Sequence, residues 1–162
     1  MTSRAITTAP GSLSRTALSS VTADKIATSL LTVQTPGAGF TDLTAEVAQF
    51  VKDSGGSEGA LMLFVRHTSA SLTIQENADP TVLTDLLTAL DRVAPENAGW
   101  RHDAEGPDDM PAHIKTMLTA TSLHIPVIKR ELSLGTWQAI YLVEHRRHPH
   151  RREIVLQFAG AA

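Results

Sequence analysis

Residues 102–113 carry two histidines and four carboxylates: His102, Asp103, Glu105, Asp108, Asp109 and His113. Imidazole nitrogen and carboxylate oxygen are the ligands a divalent metal can take from a chain with no cysteine. Gly106, Pro107 and Pro111 constrain the backbone between them. Two readings are open on spacing alone. The segment is either a metal site or a polar loop running into a helix, since this separation of the histidines matches no standard zinc pattern. A helix starting around Pro111 would put His113 in its first turn. A helix N-terminus disfavours imidazolium there, which suits a neutral, ligating ring. Carboxylates beside an imidazole can instead accept its other N–H and fix the tautomer. Glu105 could also serve as general base toward a metal-bound water.

His67 ends the most apolar run of the chain, Ala60 to Val65, and opens the string His67-Thr-Ser-Ala-Ser71. Strand ends beside loops are where scaffolds present functional groups. The alternative is a histidine that merely bonds a neighbouring loop, with the hydroxyl residues shaping a turn. In Leu134-Gly-Thr-Trp-Gln138, Trp137 suits packing at a core or interface, and alternation puts Gln138 and Glu144 on one strand face with Trp137 and His145 on the other. His145 to Arg152 is locally basic. With Pro149 marking a turn and no interleaved aromatic residues, it reads as a solvated hairpin loop rather than a nucleic-acid surface. No phosphate-binding glycine loop and no nucleophile elbow is present.

The elements that must position these groups follow from periodicity. Lys25–Gln34 reads as a strand ending at Pro36-Gly37. Leu43, Val47, Phe50 and Val51 mark one face of a helix, with Asp42 or Thr44 as cap and Gly55-Gly56 as its end. Ala60–Val65 predicts a strand buried on both faces, and Ser71–Gln75 a strand with one wet face. Asp79-Pro80 is an N-cap followed by proline at the first helical position. That helix carries Val82, Leu83, Leu86, Leu87 and Leu90 on its apolar side and ends before Pro95. Met110, Ile114, Met117 and Leu118 predict the apolar stripe of a third helix. Strands follow at 124–128, 136–143 and 153–158, the last two expected to form a hairpin. Helices and strands that do not alternate regularly indicate an α+β fold.

The chain has 162 residues, with 42% apolar and 19% charged residues and a formal charge of −3. These are ordinary globular values, with no global attraction toward nucleic acid or anionic membrane. No apolar run approaches a bilayer span. Residues 1–18 are rich in Ser, Thr and Ala, with Arg4 and Arg15 and no acid. They read as a disordered extension, a composition shared with transit peptides. Residues 19–162 read as one domain. No secretory h-region is visible, so a cytoplasmic protein is expected.

Three strings in this order resemble one family: His67-Thr-Ser-Ala-Ser-Leu-Thr-Ile-Gln-Glu-Asn77, Glu105-Gly-Pro-Asp-Asp-Met-Pro-Ala-His-Ile-Lys115 and Leu134-Gly-Thr-Trp-Gln138. They are similar to the YjbQ family, with likeness running from about Ser19 to Gly160. The resemblance implies an α+β fold with mixed β-sheets in a sandwich-like core and three main helices, assembled as a homotrimer. It implies a divalent metal, zinc or, with a diphosphate substrate, magnesium, on His67, His102 and His113. Glu76, Glu105 and Asp108 would line the pocket as catalytic groups. Ser69, Asn77, Lys115, Trp137 and Gln138 would bind a small, phosphorylated substrate. The implied activity is a weak thiamine-phosphate synthase reaction, joining a hydroxymethylpyrimidine diphosphate to a thiazole phosphate and releasing pyrophosphate. A metal-dependent hydrolase or lyase, and a non-enzymatic metal- or metabolite-binding trimer, are the alternatives. No nucleic-acid or membrane partner is implied. The chain departs from the family at Lys129-Arg130-Glu131, where a glycine is usual.

Overall fold

The computed structural model describes residues 14–162. Most of the expected N-terminal extension lies outside them, and residues 14–24 form no helix or strand. The chain then runs β1 (Lys25–Thr35), β2 (Gly39–Asp42), α1 (Thr44–Ser54), β3 (Glu58–Val65), β4 (Ala70–Glu76) and α2 (Pro80–Val93). It continues with α3 (Asp109–Leu118), β5 (Ser122–Ile128), β6 (Glu131–Leu132), β7 (Gln138–Glu144) and β8 (His150–Ala161).

Two sheets result, ordered β1-β8-β3-β5-β6 and β2-β7-β4. The α+β class with three helices is as expected. Every pairing is antiparallel, so neither sheet is mixed. Leu61, Leu63, Ile125, Ile154, Leu156 and Phe158 from the larger sheet meet Leu72, Ile140 and Leu142 from the smaller one. Val47 and Val51 of α1 join the same core, which non-directional burial of apolar area holds together.

Local signals account for several boundaries. Asp79 Oδ1 accepts from the Thr81 N–H at 2.8 Å and Pro80 starts α2, the cap-then-proline arrangement that satisfies one free donor and needs no other at the first position. Gly55 closes α1 at φ 69°, a left-handed conformation that glycine adopts without a Cβ penalty. At α1's start Asp42 accepts from the Thr44 N–H, while Thr44 Oγ1 accepts from the Ile140 N–H, tying the helix to β7.

Four expectations fail for tertiary reasons. First, β7 and β8 are not a hairpin, because they lie in different sheets and the chain crosses between them at 145–149. Second, β3 is buried on one face only: Leu61, Leu63 and Val65 are in the core, but Phe64 is exposed. Third, the stripe expected for α3 is not in the core: Met110 and Ile114 are half-buried, and Met117 and Leu118 are exposed. The helix buries Asp109, Pro111, Ala112, Lys115 and Thr116 instead. Fourth, the basic loop is not solvated as a whole: His145, Arg146 and Arg152 are buried.

Candidate metal centre

Helix α3 starts at Asp109, two residues earlier than Pro111. His113 therefore sits one turn in, at i+4 from Asp109, and the two share a helix face. Their closest approach, His113 Nε2 to Asp109 Oδ1, is 3.6 Å. The loop before the helix returns His102 to the same carboxylate, with Nε2 3.0 Å from Asp109 Oδ2. Ring centroids of His102 and His113 are 5.3 Å apart. One ligand atom from each of the three residues lies within 4.8 Å of the others, an arrangement able to hold a metal ion.

His113 and Asp109 are each held from behind. His113 Nδ1 lies 2.9 Å from the Thr68 carbonyl. A carbonyl only accepts, so the ring proton sits on Nδ1 and the Nε2 lone pair faces the cluster. A bond of this type orients metal-binding imidazoles and fixes their tautomer. Asp109 Oδ1 accepts from Arg146 Nη1 at 2.5 Å, leaving Oδ2 toward His102. Arg146 also donates from Nε to Asp108 Oδ2 at 3.1 Å and from Nη2 to the Glu105 carbonyl at 2.7 Å. Asp108 further accepts the Arg147 N–H at 2.8 Å. Burial alone would raise the Asp108 pKa, but the Arg147 N–H and the Arg146 guanidinium outweigh it and hold the carboxyl below its ordinary value. Burial likewise works against the Arg146 charge, and the carboxylates, Asp108 first, raise its pKa overall.

The residues expected at the site fall into separate places. His102 and His113 converge, and Asp109 completes their group, a role for which spacing gave one usable signal, its i+4 relation to His113. His67 lies elsewhere: its Nε2 accepts from the Glu153 N–H at 2.9 Å, which occupies that nitrogen. Burial, then the Arg152 charge, lower its pKa, consistent with a neutral accepting ring. Asp108 faces Arg146 rather than open space. The Glu105 side chain is 77% exposed beside Arg146. The Ser69 carbonyl accepts from Arg152 Nη2 at 3.3 Å. Lys115 pairs with Asp91 at 2.5 Å.

Glu76, Asn77, Trp137 and Gln138 gather at the opposite end of the small sheet. Glu76 pairs with Gln138 in register, the Asn77 N–H donates to the Trp137 carbonyl at 3.0 Å, and Gln138 Oε1 accepts the Gly135 N–H. Six strand steps separate this end from the Ala70–Glu144 pair, about 20 Å at strand rise. Trp137 is 63% exposed, not packed in the core.

Sequence reasoning missed the brace behind the loop. Glu144 accepts from Arg152 through both oxygens, at 2.6 and 2.5 Å, and from Thr35 Oγ1 at 2.8 Å and the Arg146 N–H at 2.9 Å. Burial would raise the Glu144 pKa, but Arg152, the Arg146 N–H and Thr35 prevail and lower it. Bidentate pairing of this kind fixes geometry as well as charge.

Residues 29–161 match the family model described as UPF0047 protein YjbQ-like. A UPF0047 protein of Synechocystis is 48% identical over 132 residues, covering 81% of this chain and 90% of that protein. The UPF0047 protein YjbQ of Escherichia coli O157:H7 is 44% identical over 131 residues, covering 80% and 95%. Among solved structures, an uncharacterised conserved YjbQ/UPF0047-family protein of Clostridium acetobutylicum superposes with a TM-score of 0.74 at 38% identity, over 80% of this chain and 98% of that one. A hypothetical protein of Aeropyrum pernix gives 0.76 at 30% identity, over 83% and 98%.

Proposed function

This chain belongs to the YjbQ-like UPF0047 protein family, and from that premise we propose that it is a homotrimeric, divalent-metal-dependent enzyme acting on a small phosphorylated substrate. The observation that carries this is the convergence of His102, Asp109 and His113, with the free nitrogen of His113 set by Thr68. Two imidazoles and one carboxylate suit zinc better than magnesium, which takes oxygen ligands. An ion there would supply Lewis-acid stabilisation of phosphate charge or a water of lowered pKa.

The chain's own residues divide the remaining work. Asp109 is anchored by Arg146, so its carboxylate cannot rotate away from the histidines. Glu105, exposed beside the cluster, is the group placed to accept a proton. Asp108 acts by positioning Arg146. Trp137, Asn77, Gln138 and Glu76 are too distant to meet the cluster within one protomer. In a homotrimer they would reach the neighbour's centre, where the exposed indole would stack on a planar heterocycle. The reaction we favour is the joining of a hydroxymethylpyrimidine diphosphate to a thiazole phosphate with release of pyrophosphate, as a secondary activity.

Metal analysis and light scattering on the purified full-length chain test the first part. About one ion per chain in a trimer supports it, with the ion lost in His113→Ala. A metal-free wild type after incubation with zinc overturns it. Growth of a thiamine auxotroph on the wild-type gene, absent with His113→Ala, supports the reaction, and no growth at high expression overturns it. Turnover of a phosphorylated-metabolite panel would then point to a hydrolase or lyase.

A further inference from the structure

The pairing of β6 leaves one backbone donor turned outward. The Ser133 N–H donates to the Pro126 carbonyl at 2.9 Å, which makes these two residues a hydrogen-bonded pair. The next pair, Val127 with Leu132, is therefore a non-bonded one, and the Leu132 backbone groups point away from β5. The Leu132 carbonyl accepts the Leu134 N–H at 2.8 Å. Its own N–H stands at the free edge of the five-stranded sheet, where β6 is the last strand. Beside that edge lies a groove of about 350 Å³, lined by Thr44, Ala48 and Lys52 of α1 and by Arg130, Leu132 and Leu134, among others. We propose that this groove binds the C-terminal end of an extended peptide whose last residue is apolar.

Thr44, Ala48 and Lys52 recur at i, i+4 and i+8, so they form one ridge along α1. The ridge is about 12 Å long, room for about three or four extended residues. Positive charge gathers at one end of it. The Arg130 N–H donates to the Ser57 carbonyl at 2.9 Å, and the Lys129 N–H to Glu58 Oε1 at 3.1 Å. These bonds pin the turn to the segment that follows α1, so Arg130 stands near the helix's last turn, which carries Lys52. Both cations are exposed, and neither makes an ion pair among the described residues. Neighbouring carboxylates are turned elsewhere. Asp53 Oδ1 accepts from Gln49 at 2.7 Å, and the Glu131 side chain alternates to the sheet face opposite Leu132. The C-terminus of α1 carries partial negative charge, so holding an anion there takes both cations together.

A peptide C-terminus is the occupant that uses the whole groove. Its carboxylate meets Lys52 and Arg130 in charge-assisted hydrogen bonds. Its last side chain lies on Ala48, Leu132 and Leu134, all half-buried. One of its backbone carbonyls accepts the Leu132 N–H, as a strand does when it adds to a sheet edge. None of these residues belongs to the metal cluster, so the groove works with or without an ion there.

Calorimetric titration of the full-length chain with the acetylated peptide alanine-threonine-valine-leucine tests this, on protein as purified and after chelation. One site per chain with Kd below about 1 mM is expected in both preparations. The same peptide as its C-terminal amide should bind at least about tenfold more weakly. Arg130→Gln and Lys52→Gln, both at exposed positions, should each weaken binding at least about threefold. N-acetylleucine keeps the carboxylate and the last side chain but lacks the preceding residues, and should bind at least about threefold more weakly than the peptide. Equal affinity for N-acetylleucine would make the occupant a small acid and overturn the peptide assignment. No binding at about 1 mM, equal affinity for acid and amide, or wild-type affinity in the double variant overturns the site itself. Binding lost on chelation does so too, by moving the carboxylate to the metal centre. The comparison of acid with amide uses the wild type, so it decides the matter whatever the variants do. Metal content is measured separately, so failure here and failure of the metal-dependent reading are distinguishable.

Discussion

Arg146 Nη1 and Asp109 Oδ1 are 2.5 Å apart, and both side chains are buried. This contact joins the crossing between the two sheets to the first residue of α3. The same guanidinium holds Asp108 and the Glu105 carbonyl. The two consecutive aspartates thus have different jobs: Asp108 fixes the arginine, and Asp109 uses it to stay aimed at His102.

Removing that guanidinium leaves two buried carboxylates without their countercharge. Arg146→Ala should cost about 3–5 kcal/mol of stability in urea unfolding. Metal affinity should fall about 10–100-fold in a chelator competition, as expected when a ligand loses its orienting partner. Arg146→Lys should rescue neither fully, because an ammonium cannot span the three acceptors that the planar fork reaches. Full rescue by lysine would mean that only the charge matters.

Acid should destabilise the fold, and His145 makes the sign explicit. Its folded pKa of about 4 lies below the ordinary histidine value of 6.5. Between those values the unfolded chain binds the proton and the folded chain does not, so stability rises with pH through this window. The stability present above pH 6.5 is lost as pH falls toward 4, by about 3 kcal/mol at 1.36 kcal/mol per pH unit. Asp108 and Glu144, both held below their ordinary values, act in the same direction at lower pH. Their contribution is present above their unfolded pKa and vanishes as the folded groups protonate. His145→Gln should flatten the slope of ΔG against pH between 6.5 and 4 in chemical denaturation. An unchanged slope would remove His145 from the account, leaving His67, whose lowered pKa acts in the same sense at a more exposed position.

What the sequence disclosed and what it hid divide by range of interaction. Asp79-Pro80 and Gly55 act through their own backbones, so the helix limits they set were legible. The buried side of α3 was not. Apolar spacing selects Met117, yet the helix turns Asp109 and Lys115 inward because Arg146 and Asp91, distant in sequence, pair with them. The basic loop misled for the same reason, since the partners of Arg146 and Arg152 lie on α3 and at the end of β7. The small-sheet end was misread in a different way. Glu76, Asn77, Trp137 and Gln138 stand in motifs beside the candidate site's residues, but strand length carries them away from it.

The two motif histidines 67 and 113 should behave differently on substitution. His113 contributes a nitrogen to the cluster, whereas His67 Nε2 is occupied by the Glu153 N–H. His113→Ala should abolish metal retention through gel filtration. His67→Ala should leave about one ion per chain and cost about 1 kcal/mol by freeing a half-buried backbone donor. Equal metal loss in both variants would put His67 on the ion, through Nδ1 or by release of Glu153.

The turn between β5 and β6 provides a test unrelated to the metal. Ile128 pairs with Glu131, leaving Lys129 and Arg130 as a two-residue loop at φ 52° and 69°. Both are left-handed, the requirement of a type I′ turn, which favours Asn-Gly. L-residues with a Cβ are strained in that region. The turn holds because its amides are paired, Arg130 N–H with the Ser57 carbonyl at 2.9 Å and Lys129 N–H with Glu58 Oε1 at 3.1 Å. Lys129→Asn with Arg130→Gly should therefore raise stability by about 1 kcal/mol, the relief of strain exceeding the entropy glycine loses on folding. In a domain of this size that is a rise of about 2–4 °C in Tm, with metal content unchanged. A lowered Tm would show that the arginine and lysine side chains contribute more than their backbone strain costs.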